Sequence, residues 1–316
     1  MPEPLQGGAA EPGLLRLAQA VQDTGYAFVT PTPASHARVN ARPGAAEAHD
    51  LRGVLGWSRL FQEHVVPPGV FAAMQAAGVL ERHGTGWRSL VRLSTLDGCL
   101  FLHSAYPTTQ ADAVFFGPDT YRFASAILSH LECRTRPVRR AVDVGCGAGP
   151  GAILVARARP GAEVLAVDIN HAALQFTQVN ATLAGAAVIP LHSDLLSATE
   201  GVFDLIVANP PYLVDPGERA YRHGGGPLGA GLSLAILEAA CPRLAPGGTL
   251  LLYTGAAIVE GMDPFWDAAK TCLRGTGLDW TYRELDPDVF GEELDTGPYA
   301  SADRIAAVLL TVTQPG

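Results

Sequence analysis

The strongest constraint on this chain is a change of rhythm near Arg122, after which short aliphatic runs alternate with stretches long enough for helices. Strands are predicted at 141–144, 163–169, 187–192, 203–208, 248–254, 279–285 and 305–312. Helices at 151–159, 171–183 and 228–244 fall between the first five, and another at 264–274 precedes the last two. Parallel neighbours need long crossovers, and a strand covered on both faces reads as an unbroken apolar run. The pattern therefore predicts an α/β fold with a mostly parallel seven-stranded sheet whose last two strands pair antiparallel at an edge.

Upstream the pattern differs. Residues 1–13 are rich in Pro, Gly and Ala and are expected to form a disordered tail. Residues 14–110 read as a small α+β domain for substrate recognition, and 111–316 as the catalytic domain. A helix is predicted over 13–24, because Leu14, Leu17, Ala18 and Val21 share one face. A loop with Pro31, Pro33, Asn40, Pro43 and Gly44 follows, then helices at 51–62 and 68–77. Two β-runs, 89–93 and 99–103, flank an Asp97-Gly98 turn signal. Helix, helix, hairpin is the order of a winged helix, and an unrelated α+β cap fits equally.

Composition narrows the classes. With 48% hydrophobic residues the chain can fill a core, which excludes disorder throughout. The net charge of −9 argues against a generic phosphate-backbone binder. The basic cluster Arg134, Arg136, Arg139 and Arg140 reads as solvated surface or a phosphate contact. The longest nearly apolar run, 249–259, is about half of the roughly 20 residues that a membrane span needs. Without a secretory signal at the N-terminus, the expected location is the cytoplasm. Five cysteines without a C-x-x-C pair suggest neither a disulfide framework nor zinc, and the histidines at 36, 49, 64, 83 and 103 read as surface or packing residues.

Four segments carry chemistry. AVDVGCGAGPGA (141–152) runs from a strand through Gly145, Gly147, Gly149 and Gly151 into a helix, a turn at which backbone can approach a ligand. It also satisfies a G-x-G-x-x-A dinucleotide pattern. However, the strand ends before Gly145, out of phase with that match, and the Asp143 carboxylate would repel a pyrophosphate while suiting a cationic group. Asp168 closes the next strand, where an acid either accepts hydrogen bonds from ribose hydroxyls or caps the following helix. Asp194 follows the third strand, as an adenine reader or as turn chemistry. Finally, FDLIVA runs into Asn209-Pro210-Pro211-Tyr212. The prolines remove two N–H groups, so the Asn209 amide oxygen and a backbone carbonyl can clamp an NH₂ group, with Tyr212 able to stack on a planar substrate. Such a clamp needs no strong base. The loop 215–231, with Arg219, Arg222 and three successive glycines, reads as a lid.

With these motifs on the page, 115–312 resembles the class I S-adenosylmethionine-dependent methyltransferases, specifically the N-P-P-[YF] branch of HemK-type protein-glutamine, adenine-N6 and guanine-N2 enzymes. Phe116-Gly117-Pro118-Asp119-Thr120-Tyr121 is similar to the P-R-P-D-T-E element of the glutamine enzymes, with Gly117 and Tyr121 replacing its arginine and glutamate. The resemblance implies a Rossmann-like sheet with S-adenosylmethionine as cofactor. The cofactor candidates are Asp143, Gly145, Cys146, Gly147, Gly149, Asp168, Ile169, Asp194 and Leu195. Asn209, Pro210 and Tyr212 would carry methyl transfer, with Phe116, Thr120, Arg219 and Arg222 facing substrate or forming the lid. The acceptor would be a planar amino or amide nitrogen of a protein, an RNA base or a small molecule. No metal is expected. A non-catalytic nucleic-acid or protein binding module on the same fold is the alternative, with an NAD-dependent oxidoreductase further behind.

Overall fold

The computed structural model describes residues 12–108, 110–215, 217, 219, 221–295 and 297–316. Residues 1–11 of the expected tail lie outside the described residues, and Pro12 and Gly13 open the first helix. The upstream part contains α1 (Pro12–Gln22), α2 (Pro33–Asn40), α3 (Leu51–Leu55), α4 (Pro68–Ala76), β1 (Leu80–His83), β2 (Gly86–Ser89), β3 (Val91–Leu96) and β4 (Cys99–Ser104). The periodic face of α1 is buried, and it packs with Val54, Val70, Met74, Leu93 and Leu102.

Several local expectations change. The proline-rich loop contains α2, because Thr32 accepts a hydrogen bond from the Ser35 amide and Pro33 opens the first turn; here proline starts a helix. The helix expected over 51–62 ends at Leu55. The ring of Phe28 lies against Gly56, and the chain beyond is drawn off so that Phe61 pairs with Trp87. The polar hairpin β1–β2 was not expected. The β3–β4 hairpin turns at Asp97-Gly98, both with positive φ (48° and 72°), the geometry of a type I′ turn.

Downstream come α5 (Pro118–Cys133), β5 (Arg140–Val144), α6 (Pro150–Ala158), β6 (Glu163–Asp168), α7 (His171–Leu183), β7 (Ile189–His192) and β8 (Phe203–Ala208). They are followed by α8 (Gly231–Ala240), β9 (Leu244–Ile258), α9 (Pro264–Leu273), β10 (Asp279–Asp286) and β11 (Arg304–Thr313). The seven strands stand in the order β10-β11-β9-β8-β5-β6-β7. β5 to β9 are mutually parallel, while β11 runs antiparallel to both β9 and β10. One face of the sheet is covered by Phe123 and Ile127 of α5 with Val155 of α6, the other by Ile236 of α8 and Phe265 of α9. Each large aliphatic side chain buried this way contributes roughly 1.5–3 kcal/mol.

The order reverses between β5 and β8, the place where parallel sheets open a crevice at their carboxyl ends. Register sets what lies there. Val144 is level with Ala208 on one side and Val167 on the other, so Asp168, Gly145 and Asn209 leave the sheet side by side.

Candidate active site

The glycine turn is held by backbone geometry. Gly145, Gly147 and Gly149 have φ of 69°, 55° and 80°, a region that side chains with a Cβ avoid. The amides of Gly145 and Cys146 both donate to the Val167 carbonyl (2.9 and 3.0 Å), and the Gly149 amide closes the turn onto the Cys146 carbonyl (2.8 Å). A Cβ on Gly149 would lie 2.8 Å from the Thr177 side chain. The Cys146 thiol points at the same hydroxyl and is buried, which drives its pKa well up.

Both carboxylates at the strand ends are tied to backbone. Asp168 accepts from the Gly147 amide through Oδ2 and from the Asn170 amide through Oδ1, each at 2.9 Å. Asn170 itself caps α7 by accepting from the Ala172 amide, so Asp168 is not the cap, and its remaining lone pairs are available at the cavity. Burial raises its pKa. Asp143 is deeper; its Oδ2 accepts from the Ala152 amide at the start of α6 (2.9 Å), and burial pushes its pKa up to about 7 against that hydrogen bond. A Cβ on Gly151 would lie 2.6 Å from the same oxygen.

Beyond β8, Tyr212 is buried and donates its hydroxyl to Asp119 Oδ2 (2.7 Å), while Tyr253 donates to Asp119 Oδ1 (2.7 Å) and Arg122 Nη1 stands 3.3 Å away. Burial raises the pKa of Asp119 and the phenols pull it back. The Tyr212 ring is edge-on to Phe290 (5.9 Å, 73°) and rests where a side chain on Gly255 would be. Tyr212 is thereby held fixed at the cavity wall.

These parts surround a cavity of about 240 Å³. It brings together Asp143, Gly145, Cys146, Gly147, Asp168, Ile169, Asp194, Leu195, Asn209, Pro210, Tyr212, Thr120 and Arg222. Ile169 is 56% exposed, an apolar side chain at the rim where a flat ring can lie against it. Three nominated residues do not line the cavity. Gly149 sits behind it under Thr177. Phe116 is buried, stacked on His103 (5.0 Å), and the neighbouring Phe115 lines the cavity instead. Arg219 is spent on Asp215 (Nε to Oδ2, 2.9 Å) and on the Tyr221 hydroxyl (3.0 Å), while Tyr221 itself reaches the cavity.

The 215–231 segment is pinned where it is described. Arg219 holds the Asp215 carboxyl down to about pKa 2, with Arg222 adding to the effect and reaching Glu293. Of the three successive glycines, Gly224 is closely packed, since a side chain there would overlap the backbone of Pro211 and Tyr212, whereas Gly225 has open space beside it; a side chain on Gly229 would likewise overlap Tyr212. Asp119, Phe115 and Phe290 were missed as site residues, while Tyr221 stood out in the sequence only as a flank of the glycine loop. Of the missed three only Asp119 had a sequence signal, its place in the F-G-P-D-T-Y element. The two departures in that element have local causes. The Phe115 ring occupies the space beside Gly117, and the Tyr121 hydroxyl accepts from the Thr30 amide (3.0 Å).

The sheet order and this cavity define a class I S-adenosylmethionine-dependent methyltransferase. The crystal structure of Trm5b from Pyrococcus abyssi shares the fold, with a TM-score of 0.50 at 16% identity over 75% of this chain and 62% of that one. Residues 108–257 match the Methyltransferase small domain model. The release factor glutamine methyltransferase of Bordetella pertussis is 34% identical over 263 residues, 77% of this chain and 93% of that one. The chain belongs to that family and is an S-adenosylmethionine-dependent N-methyltransferase. A 4-amino-L-phenylalanine/4-methylamino-L-phenylalanine methyltransferase of Streptomyces pristinaespiralis is 31% identical over 153 residues, 44% of this chain and 52% of that one. Among the described residues no helix is long and apolar enough to cross a membrane.

Proposed function

We propose that the acceptor is the side-chain amide of a glutamine in a protein release factor, with residues 14–110 recognising the substrate and 111–316 carrying the reaction. The observation that carries this reading is the register that sets Asn209 beside Gly145 and Asp168, at a cavity whose far wall is the Asp119-anchored Tyr212. Such a substrate belongs to translation, which assigns the enzyme to the cytoplasm.

In this reading Asp143, Gly145, Cys146, Gly147, Asp168, Ile169, Asp194 and Leu195 hold the cofactor, with Gly149 shaping the turn. S-adenosylmethionine, when bound, supplies a methyl group made electrophilic by the adjoining sulfonium. The Asn209 side-chain oxygen and the Pro210 carbonyl each accept one N–H of the amide, which fixes its plane and turns the weak nitrogen lone pair toward the donor. The nitrogen gains a methyl and sheds one proton to water; the chain needs no strong base, because placement alone can supply roughly 7–11 kcal/mol. Asp119, through Tyr212, keeps the clamp from rotating.

Transfer of tritiated methyl from S-adenosylmethionine to purified release factor tests this. Asn209→Ala is expected to lose transfer by about two orders of magnitude or more while keeping cofactor affinity, and Asp168→Ala to lose cofactor affinity. Labelling of a free aromatic amine, with the release factor unlabelled, would overturn the choice of acceptor.

A further inference from the structure

A second, smaller cavity of about 30 Å³ lies under the β3–β4 hairpin, and its walls share Pro33, Thr108 and Phe115 with the methyl-transfer cavity. Arg92 and His103 stand opposite each other on that hairpin, and both are buried. His103 is satisfied, with Nε2 at 2.8 Å from Ser94 Oγ and Nδ1 at 3.1 Å from the Ser104 carbonyl. Arg92 is not. It is 5% exposed, and its Nε and Nη2 have no hydrogen-bond partner among the described residues. Nor does any carboxylate among them pair with it. Its company is the ring of Phe28, 5.6 Å from the guanidinium carbon, and the phenols of Tyr26, Tyr121 and Tyr106. His36, in the same wall, has a buried Nε2 that is also unpartnered.

A buried cation without a counter-charge is strongly unfavourable, and a paired one far less so. The two unsatisfied nitrogens of Arg92 also form one edge of the guanidinium. That edge presents two parallel N–H groups, the fork that matches the two oxygens of a carboxylate. No lysine or second arginine lines the space to neutralise a dianion, which favours a singly charged carboxylate over a phosphate.

We propose that this pocket is a carboxylate-binding subsite in which Arg92, with His36 beside it, anchors an acidic group of the methyl acceptor. The carboxylate comes either from an acidic side chain near the modified residue of a protein or from the free carboxylate of an amino-acid acceptor. The link to the acceptor rests on the methyl-transfer reading, whereas carboxylate binding itself does not.

The full chain is titrated with acetate, and separately with chloride at matched ionic strength, while its melting temperature is followed. Acetate is expected to stabilise the parent saturably and beyond chloride. Arg92→Met should lose that response, melt no lower than the parent without added anion, and keep its affinity for S-adenosylmethionine. With a carboxylate-bearing acceptor the same variant is expected to raise KM roughly 10- to 100-fold with kcat nearly unchanged. Comparing release factor with an aromatic amino acid and its decarboxylated amine separates the two sources. An acetate response absent in the parent or retained in Arg92→Met overturns the subsite. A normal acetate response with unchanged KM overturns its link to the acceptor. Should Arg92→Met not fold, Arg92→Lys keeps the charge and loses the fork, so acetate stabilisation as strong as the parent's would overturn the proposal.

Discussion

Asp143 couples the stability of the fold to the charge at the floor of the cavity. Its folded pKa of about 7 lies above the ordinary carboxylate value, so the stability linked to its proton is fully present below about pH 4 and is lost as pH rises through 7. Asp143→Asn is therefore expected to gain stability relative to the parent as pH climbs from 4 to 8, by an amount of order 2–4 kcal/mol. Urea denaturation at pH 5 and pH 8 checks this; a difference that does not grow with pH would show that burial is not what perturbs the group. The place of Asp143 at the cavity was legible from a carboxylate in an otherwise apolar strand before glycines. Asp119 stood in the F-G-P-D-T-Y element, but its part in the site was not legible, because one acidic residue near a helix start has the sequence appearance of any first-turn acid. What distinguishes it is two phenols arriving from Tyr212 and Tyr253, which lie 93 and 134 residues away in sequence.

The core strands and helices were readable wherever burial imposed a period. The helix over 171–183 and the strand over 203–208 lie where the pattern put them, because both faces of the central sheet are covered and almost every strand position must be apolar. Elements set by something other than burial were not. α2 hides in a proline-rich stretch, and β1, with one half-buried and three exposed residues, has no apolar alternation to read. The 215–231 loop is the most instructive case. Three glycines in a row look like slack, yet the first of them, Gly224, and Gly229 further on are needed because the loop presses against the backbone of the Asn-Pro-Pro-Tyr turn, while Gly225 has open space beside it. Gly229→Ala combines a φ of +80° with that overlap, so it should cost at least about 1–2 kcal/mol and depress methyl transfer more than cofactor binding. Urea midpoints and cofactor titration measure the two; full transfer activity in a folded variant would mean the packing is dispensable.

Across the whole molecule, one polar side chain among the apolar contacts between the upstream part and the sheet domain is a fully buried amide. Asn180 of α7 accepts from the Leu102 amide (2.8 Å) and donates both amide hydrogens, to the carbonyls of Leu102 and Ala148 (2.9 Å each). Leu102 lies on the β3–β4 hairpin and Ala148 in the glycine turn. Asn180→Ala would strand buried backbone groups in both places and is expected to cost about 2–5 kcal/mol, with amide exchange accelerated at Leu102. Hydrogen exchange followed residue by residue tests it; protection at Leu102 equal to the parent's would mean the bridge carries no weight. Sequence could not reveal this contact, since a polar residue inside an amphipathic helix has no periodic signature and its partners are set only once α7 docks.

That single amide also limits how such enzymes can be recombined. A chimera that joins this substrate-facing half to the sheet of another methyltransferase must carry position 180 with it. Without that residue the seam would hold a bare N–H and two bare carbonyls where neither solvent nor a neighbouring side chain can reach them.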